Sequence, residues 1–316
     1  MYNEDLKKRY IDKKESEVVL APNFLKNTFT KTEPFEEKLN KDVSSWTRKE
    51  IEEFYKYIDI SSLESLNLLH SNLSQYTNWC LTETLVPDGQ NHFQELDSKA
   101  LLPCVNTDLL HRSIITWEEL IEKVDTIKNY TDRYIFYALF EGMGGDKFEE
   151  ITKAKLSDIE NHTIHLCTGR TISVSSKFIE AAENAASEAE YITNGKGGSE
   201  IANDFTEEDD GLIFRRLKRK LVTTGNVDHN RAQVLSRRFI KAEDAAGISR
   251  QMTPKRLMVS GKIHYIKELA KKENATDMRD FLLRNKEEID SKYPVAALKS
   301  VSMFLEKYQM ILICND

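Results

Sequence analysis

The sequence predicts a mainly α-helical protein of two domains: a helical bundle, then a larger mixed α/β domain with a small β-hairpin. Three observations carry this. Only 12 Gly and 6 Pro among 316 residues leave long stretches free of helix breakers. Apolar residues recur at three- and four-residue spacing over most of the chain, which is the helical period. Strict alternation around a Gly turn occurs in one short segment, the signature of a hairpin. At roughly 150 residues per domain the length suggests two domains.

In chain order, the first 18 residues are almost all polar or charged and predict a solvated helix or a frayed arm. An apolar cluster follows at Leu20, Phe24, Leu25 and Phe29. Thr47 and Glu50 have capping-box spacing, with Ile51, Phe54, Tyr55 and Ile58 behind them, so a helix starts there. A second helix over about 62–81 carries Leu66, Leu69, Leu73, Tyr76 and Cys80 on one stripe. Turn formers crowd residues 86–112, among them Pro87, Gly89 and Pro103, and mark a linker. The predicted domains are therefore 1–107 and 108–316.

Thr116 and Glu119 form another capping box, and a strongly apolar helix follows over 133–140. Gly142, Gly144 and Gly145 break it. Residues 163–167 and 171–175 flank Thr168-Gly169-Arg170 as the hairpin. The alanine-rich run 181–189 predicts a helix that ends before a glycine loop at 194–198. Residues 200–210 hold six acids and no base, and read as a mobile acidic loop. Beyond Arg231 the pattern is helical again. Thr253-Pro254 fits a capped helix start with Pro at the first position, and a last helix from near Pro294 shows Val295, Leu298, Val301, Phe304 (or Leu305) and Tyr308.

Composition narrows function. No apolar run approaches the roughly 20 residues that span a bilayer, and the charged start speaks against a signal peptide. Four separated cysteines and seven histidines without metal-ligand spacing predict no zinc site, no disulfide framework and no cofactor. A cytoplasmic protein with reduced thiols is expected. The net charge of −7 would ordinarily argue against a nucleic-acid partner. Yet residues 215–272 hold sixteen bases and four acids, +12 in 58 residues, leaving −19 for the rest. Such asymmetry is a better guide to a polyanion surface than the total. Lys255 and Arg256 oppose the dipole of the helix they open, which makes sense beside a phosphate, or beside the acidic run at 200–210.

The order of pieces resembles the tyrosine recombinase (phage integrase) family. A bundle and linker precede Thr116-Trp-Glu-Glu-Leu120. Then come the segment 137–151 with Gly-Gly-Asp-Lys147-Phe-Glu-Glu-Ile, Leu156-Ser-Asp-Ile-Glu160, the hairpin, and Thr253-Pro-Lys-Arg256. The resemblance implies a core-binding bundle and an integrase-like catalytic-fold domain that clamp double-stranded DNA. The departures matter. Lys147 stands where the family has a phosphate-binding Arg and loses its bidentate fork. Arg170 replaces a titratable hairpin lysine, Thr253 replaces a histidine, and Asn285 falls near a later His or Trp position. Only Arg256 keeps its place, and Tyr293 stands near the nucleophile position in an unusual Tyr-Pro setting.

The strings Val-Val-Leu-Ala-Pro at 18–22, FTKTEPFEE at 29–37, NLSQYTNWCL at 72–81 and FEGMGG at 140–145 resemble, more closely, the YopR/MrpR-type master repressors of lysogeny in SPβ-group Bacillus phages. That resemblance implies a repressor occupying operator elements without recombining them, and no enzyme. DNA contacts are expected from Lys147, Arg170, Arg215, Arg216, Lys218, Arg219, Lys220, Arg237, Arg238, Arg250, Lys255, Arg256 and Lys262. Lys147, Arg256 and Tyr293 would be the remnants of a catalytic centre. The alternatives are an active recombinase using Tyr293, and a helical protein-interaction module. Self-association through the last helix and relief by a protein or peptide anti-repressor are further expectations.

Overall fold

Helix starts follow capping chemistry written in the sequence. The Thr47 hydroxyl accepts from Glu50 N while the Glu50 carboxylate accepts from Thr47 N at 2.7 Å. Thr116 and Glu119 repeat the device, and each satisfies donors that a helix leaves unpaired in its first turn. The computed structural model describes residues 1–17, 24–60, 62–106, 108, 112, 114–194, 199–218, 227–248, 252–298 and 300–313. The chain divides into two units, Met1–Arg112 and Ser113–Asp316.

In the first unit α1 (Glu4–Glu17), α2 (Phe24–Leu39), α3 (Arg48–Tyr57), α4 (Leu63–Thr82) and α5 (Ser98–Leu101) surround an aromatic core. Tyr10, Phe29 and Tyr76 meet edge to face, a geometry that adds about 0.5–1.5 kcal/mol per pair beyond burial. The expectation of a solvated or frayed N-terminal arm is overturned here. Tyr10 and Ile11 are buried, and so is Lys7. Lys7 reaches the buried Glu36, whose carboxylate also accepts from Thr32 Oγ1 at 2.7 Å and Val43 N at 2.9 Å. A polar sequence hides this helix because its single charge-bearing inner position finds a fully bonded partner. Residues of the expected linker also join this unit: Val86, Phe93, Leu96, Leu101 and Cys104 are buried in the same core.

The second unit contains α6 (Trp117–Val124), α7 (Tyr130–Phe140), α8 (Glu149–Thr152) and α9 (Ser176–Ser187), then α10 (Val227–Ala245) and α11 (Pro254–Lys272). It ends with α12 (Met278–Arg284), α13 (Lys286–Lys292) and α14 (Val301–Ile313). The central element is α7, buried from Tyr134 through Phe140 and covered by α9, α10 and α11. Phe136 stacks on Phe239 of α10 at 4.8 Å. Strands β1 (Ile159–Glu160), β2 (Thr163–His165) and β3 (Thr171–Ser173) form an antiparallel sheet with Ile164 opposite Ile172, so the expected hairpin is present with one strand added.

Two expectations change. The acidic run is not a loop throughout: β4 (Glu190–Asn194) pairs with β5 (Glu200–Asp204), and Asp209 beyond it is fully buried. The last helix starts at Val301 rather than near Pro294, where a 3₁₀ turn, Pro294–Ala296, precedes it. Its Val301, Phe304, Tyr308 and Leu312 are buried, and it packs against α12 of its own unit.

Because Lys7 and Glu36 satisfy one another away from solvent, removing one leaves a buried charge unpaired. Lys7→Ala should cost about 3–5 kcal/mol in chemical denaturation, and Lys7→Met with Glu36→Leu should recover most of it.

Candidate nucleic-acid interface

Five of the sixteen bases between 215 and 272 are built into the second unit. Arg216 donates to Asp209 through Nε at 2.8 Å and to Glu208 through Nη2 at 2.8 Å. Arg231 donates to the same Asp209, so the acidic run is partly neutralised by the segment that follows it. Burial opposes the charge on Asp209, but the two guanidinium groups hold its carboxyl below the ordinary value. Arg215 lies 4.1 Å over the Phe205 ring and donates to the carbonyls of Ala185 and Glu188. Arg238, 5% exposed, lies 4.1 Å over Tyr191 and 4.0 Å from Asp132. Burial lifts the Asp132 carboxyl to about 6 against the pull of Arg238.

Lys262 is 3% exposed, bonds the Ala296 carbonyl and lies 4.4 Å over the Phe304 ring of α14. Burial brings its ammonium down to about 8. These positions correct the expectation that Arg215, Arg216, Arg238 and Lys262 present charge to a phosphate: each is spent on packing or on an internal acceptor. Periodicity carried a signal for two of them. Arg238 shares the stripe of Leu235, Phe239 and Ala242, and Lys262 sits four residues from both Met258 and Ile266.

Arg170 is likewise structural. Its Nε and Nη2 grip Glu150 at 2.9 and 2.7 Å, Nη2 also donates to the Gly142 carbonyl at 3.1 Å, and Nη1 donates to the Ser291 carbonyl at 2.6 Å. Burial opposes the Glu150 charge, yet Arg170, Thr168 and Gly144 N together lower its carboxyl. Gly142 adopts φ +90°, and a Cβ there would lie 2.4 Å from the Lys292 carbonyl, so only glycine allows this approach.

Tyr293 follows Lys292 directly. It is 2% exposed and its hydroxyl donates to the Phe140 carbonyl at 3.1 Å. Burial, with the nearby Glu141 carboxylate, pushes its ionisation well above the usual tyrosine value. Lys292 is held by Glu141 Oε2 at 3.0 Å and the Ser173 carbonyl at 2.8 Å. Beside them Trp117, His264, Tyr265 and Glu268 line a shallow cavity of about 280 Å³. His264 stacks on Trp117 at 5.6 Å. The Tyr293 hydroxyl is turned inward to the Phe140 carbonyl and not to solvent.

The remaining expected contacts divide by exposure. Lys147 is exposed in a left-handed turn, φ 51°, 3.9 Å from Asp146, on a segment packed against α10. Lys218 is exposed and pairs with Glu207 at 3.3 Å. Arg237 and Lys255 are exposed, and Arg256 is half-buried under the Thr253 cap, whose hydroxyl accepts from its N–H at 3.2 Å. Lys241 is exposed one turn beyond Arg237, a position that the sequence reading did not single out. Arg219, Lys220 and Arg250 lie outside the described residues. Among the described residues no group of three or more His, Cys, Asp or Glu is arranged to hold a metal, and no helix is long and apolar enough to cross a membrane.

The description "MrpR, C-terminal catalytic domain" matches residues 114–308, and "MrpR, N-terminal core-binding domain" matches residues 1–82. An SPbeta prophage-derived uncharacterized protein, YopR of Bacillus subtilis (strain 168), is 26% identical over 315 residues, covering 93% of this chain and 91% of the relative. A lambda integrase dimer bound to a COC' core site is similar at 16% identity and TM-score 0.49, covering 99% of this chain and 79% of that one. XerA recombinase is similar at 14% identity and TM-score 0.38, with 99% and 94% covered.

The two adjacent arginines of α10 should separate cleanly. Arg238→Ala should destabilise the second unit by about 3–5 kcal/mol, because Asp132 is left buried without its cation, whereas Arg237→Ala should stay within about 0.5 kcal/mol. Lys262 gives a pH signature. Its folded value lies below the unfolded one, so the unfolded chain binds the proton more tightly and stability rises with pH across that gap. Relative to Lys262→Met, the wild-type chain should gain on the order of 2–3 kcal/mol in denaturation between pH ~8 and pH ~10.5.

Proposed function

The chain belongs to the MrpR family, and from that premise we propose that it is a sequence-specific double-stranded DNA-binding transcriptional repressor that maintains prophage lysogeny and does not transfer DNA strands. The observation that carries this is the closed state of Tyr293. Strand transfer needs a tyrosyl oxygen free to attack a clamped phosphate and a group to protonate the leaving oxygen. Here the hydroxyl is occupied by the Phe140 carbonyl inside the unit. Thr253 cannot carry a proton as a histidine would, and Arg170 is tied to Glu150 and to backbone carbonyls.

Exposed cations are present on the same unit. Lys147 and Arg237 lie on or beside α10, and Lys255 opens α11 with the half-buried Arg256 next to it. The α11 N-terminus adds the positive end of a 19-residue helix. These four are the phosphate contacts we assign. Operator elements in the phage genome are the partner this reading implies. Self-association and an anti-repressor belong to it as regulation of the same activity.

Gel shifts on fragments of the encoding prophage from about 50 to about 300 mM salt should show binding that weakens steeply, and Lys255→Ala with Arg256→Ala should flatten the logarithmic slope by roughly one unit per lost phosphate contact. A nicked suicide substrate carrying the bound site should give no covalent adduct. An adduct that Tyr293→Phe abolishes would restore the recombinase reading, and absence of salt-sensitive binding would remove the repressor.

A further inference from the structure

Between the first turn of α6, the end of α7, strand β3 and the middle of α11 lies the cavity of about 280 Å³. Its walls are flat and aromatic. Trp117 lies 5.3 Å from Phe140 and stacks on His264, whose ring is 5.7 Å from Phe140. The wall already holds one cation, because Lys292 lies 4.7 Å over the Tyr265 ring. Ser173, exposed at the end of β3, adds a hydroxyl.

Charge around these rings is lopsided. The carboxylates of Glu268, Glu118 and Glu141 act on His264 against one cation, Lys292. Lys292 and Glu141 neutralise each other at 3.0 Å. Glu268, which lines the cavity, and Glu118, next to Trp117, are exposed and have no ion pair among the described residues. Burial lowers the ionisation of the His264 ring, so the wall is uncharged near neutral pH. An anion would meet two unpaired carboxylates here, and an apolar group would leave them unanswered. A guanidinium suits both the rings and the acids. It is planar and weakly hydrated, stacks on aromatic faces, and brings five donors for carboxylate and hydroxyl acceptors. The cavity falls below the roughly 300–1,000 Å³ that encloses a drug-sized ligand, so it holds one side chain whose backbone stays outside. Beyond residues 215–272 the chain carries −19, which favours the approach of a basic segment.

We propose that this cavity is a docking site for an arginine side chain presented by a basic peptide segment of a partner protein. Trp117 and His264 stack on the guanidinium, and Glu268, with Glu118, pairs with its charge. Nucleic acid plays no part in this contact, so it stands apart from the DNA-binding reading.

The full chain is used, without DNA, to enrich short peptides from a random library. Enriched peptides should share an arginine. Citrulline at that position keeps the shape and loses the charge, and should weaken binding about tenfold or more in calorimetry. Glu268→Gln and Glu118→Gln should each weaken it about threefold with unchanged thermal melting. Glu183→Gln, exposed on α9 and not lining the cavity, should leave binding as it is. Agmatine offers the guanidinium without a peptide and should bind about tenfold more weakly or worse. Agmatine that binds as tightly as the peptide would assign the cavity to a free metabolite and overturn the peptide partner. A library that enriches nothing, peptides indifferent to citrulline, or binding unmoved by Glu268→Gln would each overturn the site.

Discussion

The second unit depends on how the last carbonyls of α7 are satisfied. A helix ends with carbonyls that have no intrahelical donor, and a buried end must find donors elsewhere. Here Phe140 O accepts from the Tyr293 hydroxyl and Gly142 O from Arg170. Gly261 of α11 presses so close that a Cβ would lie 1.8 Å from Phe140 O. Three distant segments converge on one helical turn. Tyr293 and Arg170 are thereby used as donors to backbone.

The same economy governs the charged residues. A guanidinium brings five donors in a planar fork and tolerates stacking on aromatic rings, so it suits interiors as well as phosphates. Arg216 and Arg231 share Asp209, Arg238 lies over Tyr191, and Arg215 over Phe205. Five of the sixteen bases of 215–272 are thus internal wiring. Among the described residues the exposed bases of this segment are Lys218, then Arg237 and Lys241 of α10, Lys255 at the start of α11, and Lys271 and Lys272 at its end. Modest exposed charge favours discrimination over general attraction to polyanions.

Most of the architecture was legible from local rules. Thr47, Thr116 and Thr253 marked helix starts because an N-cap hydroxyl, and in the first two cases a returning glutamate, satisfies donors within one turn. Gly142 marked the end of α7 and Gly169 the hairpin turn. The acidic strand β5 was missed because its pairing with β4 depends on a partner across a connection, not on its own composition. The N-terminal helix was misjudged for a related reason: one buried lysine bonded to Glu36 across two helices outweighs a polar sequence.

The sequence by itself determined the helical class, the two-part organisation and the capped starts, because these are written in local spacing and in the position of turn formers. The tertiary structure alone decided which bases face water and that Tyr293 does not. Burial and hydrogen-bond partners come from segments more than a hundred residues distant, as with Tyr293 and Phe140 or Arg170 and Ser291. A side chain's charge is a property of its own residue, but its availability to a ligand is a property of everything packed around it.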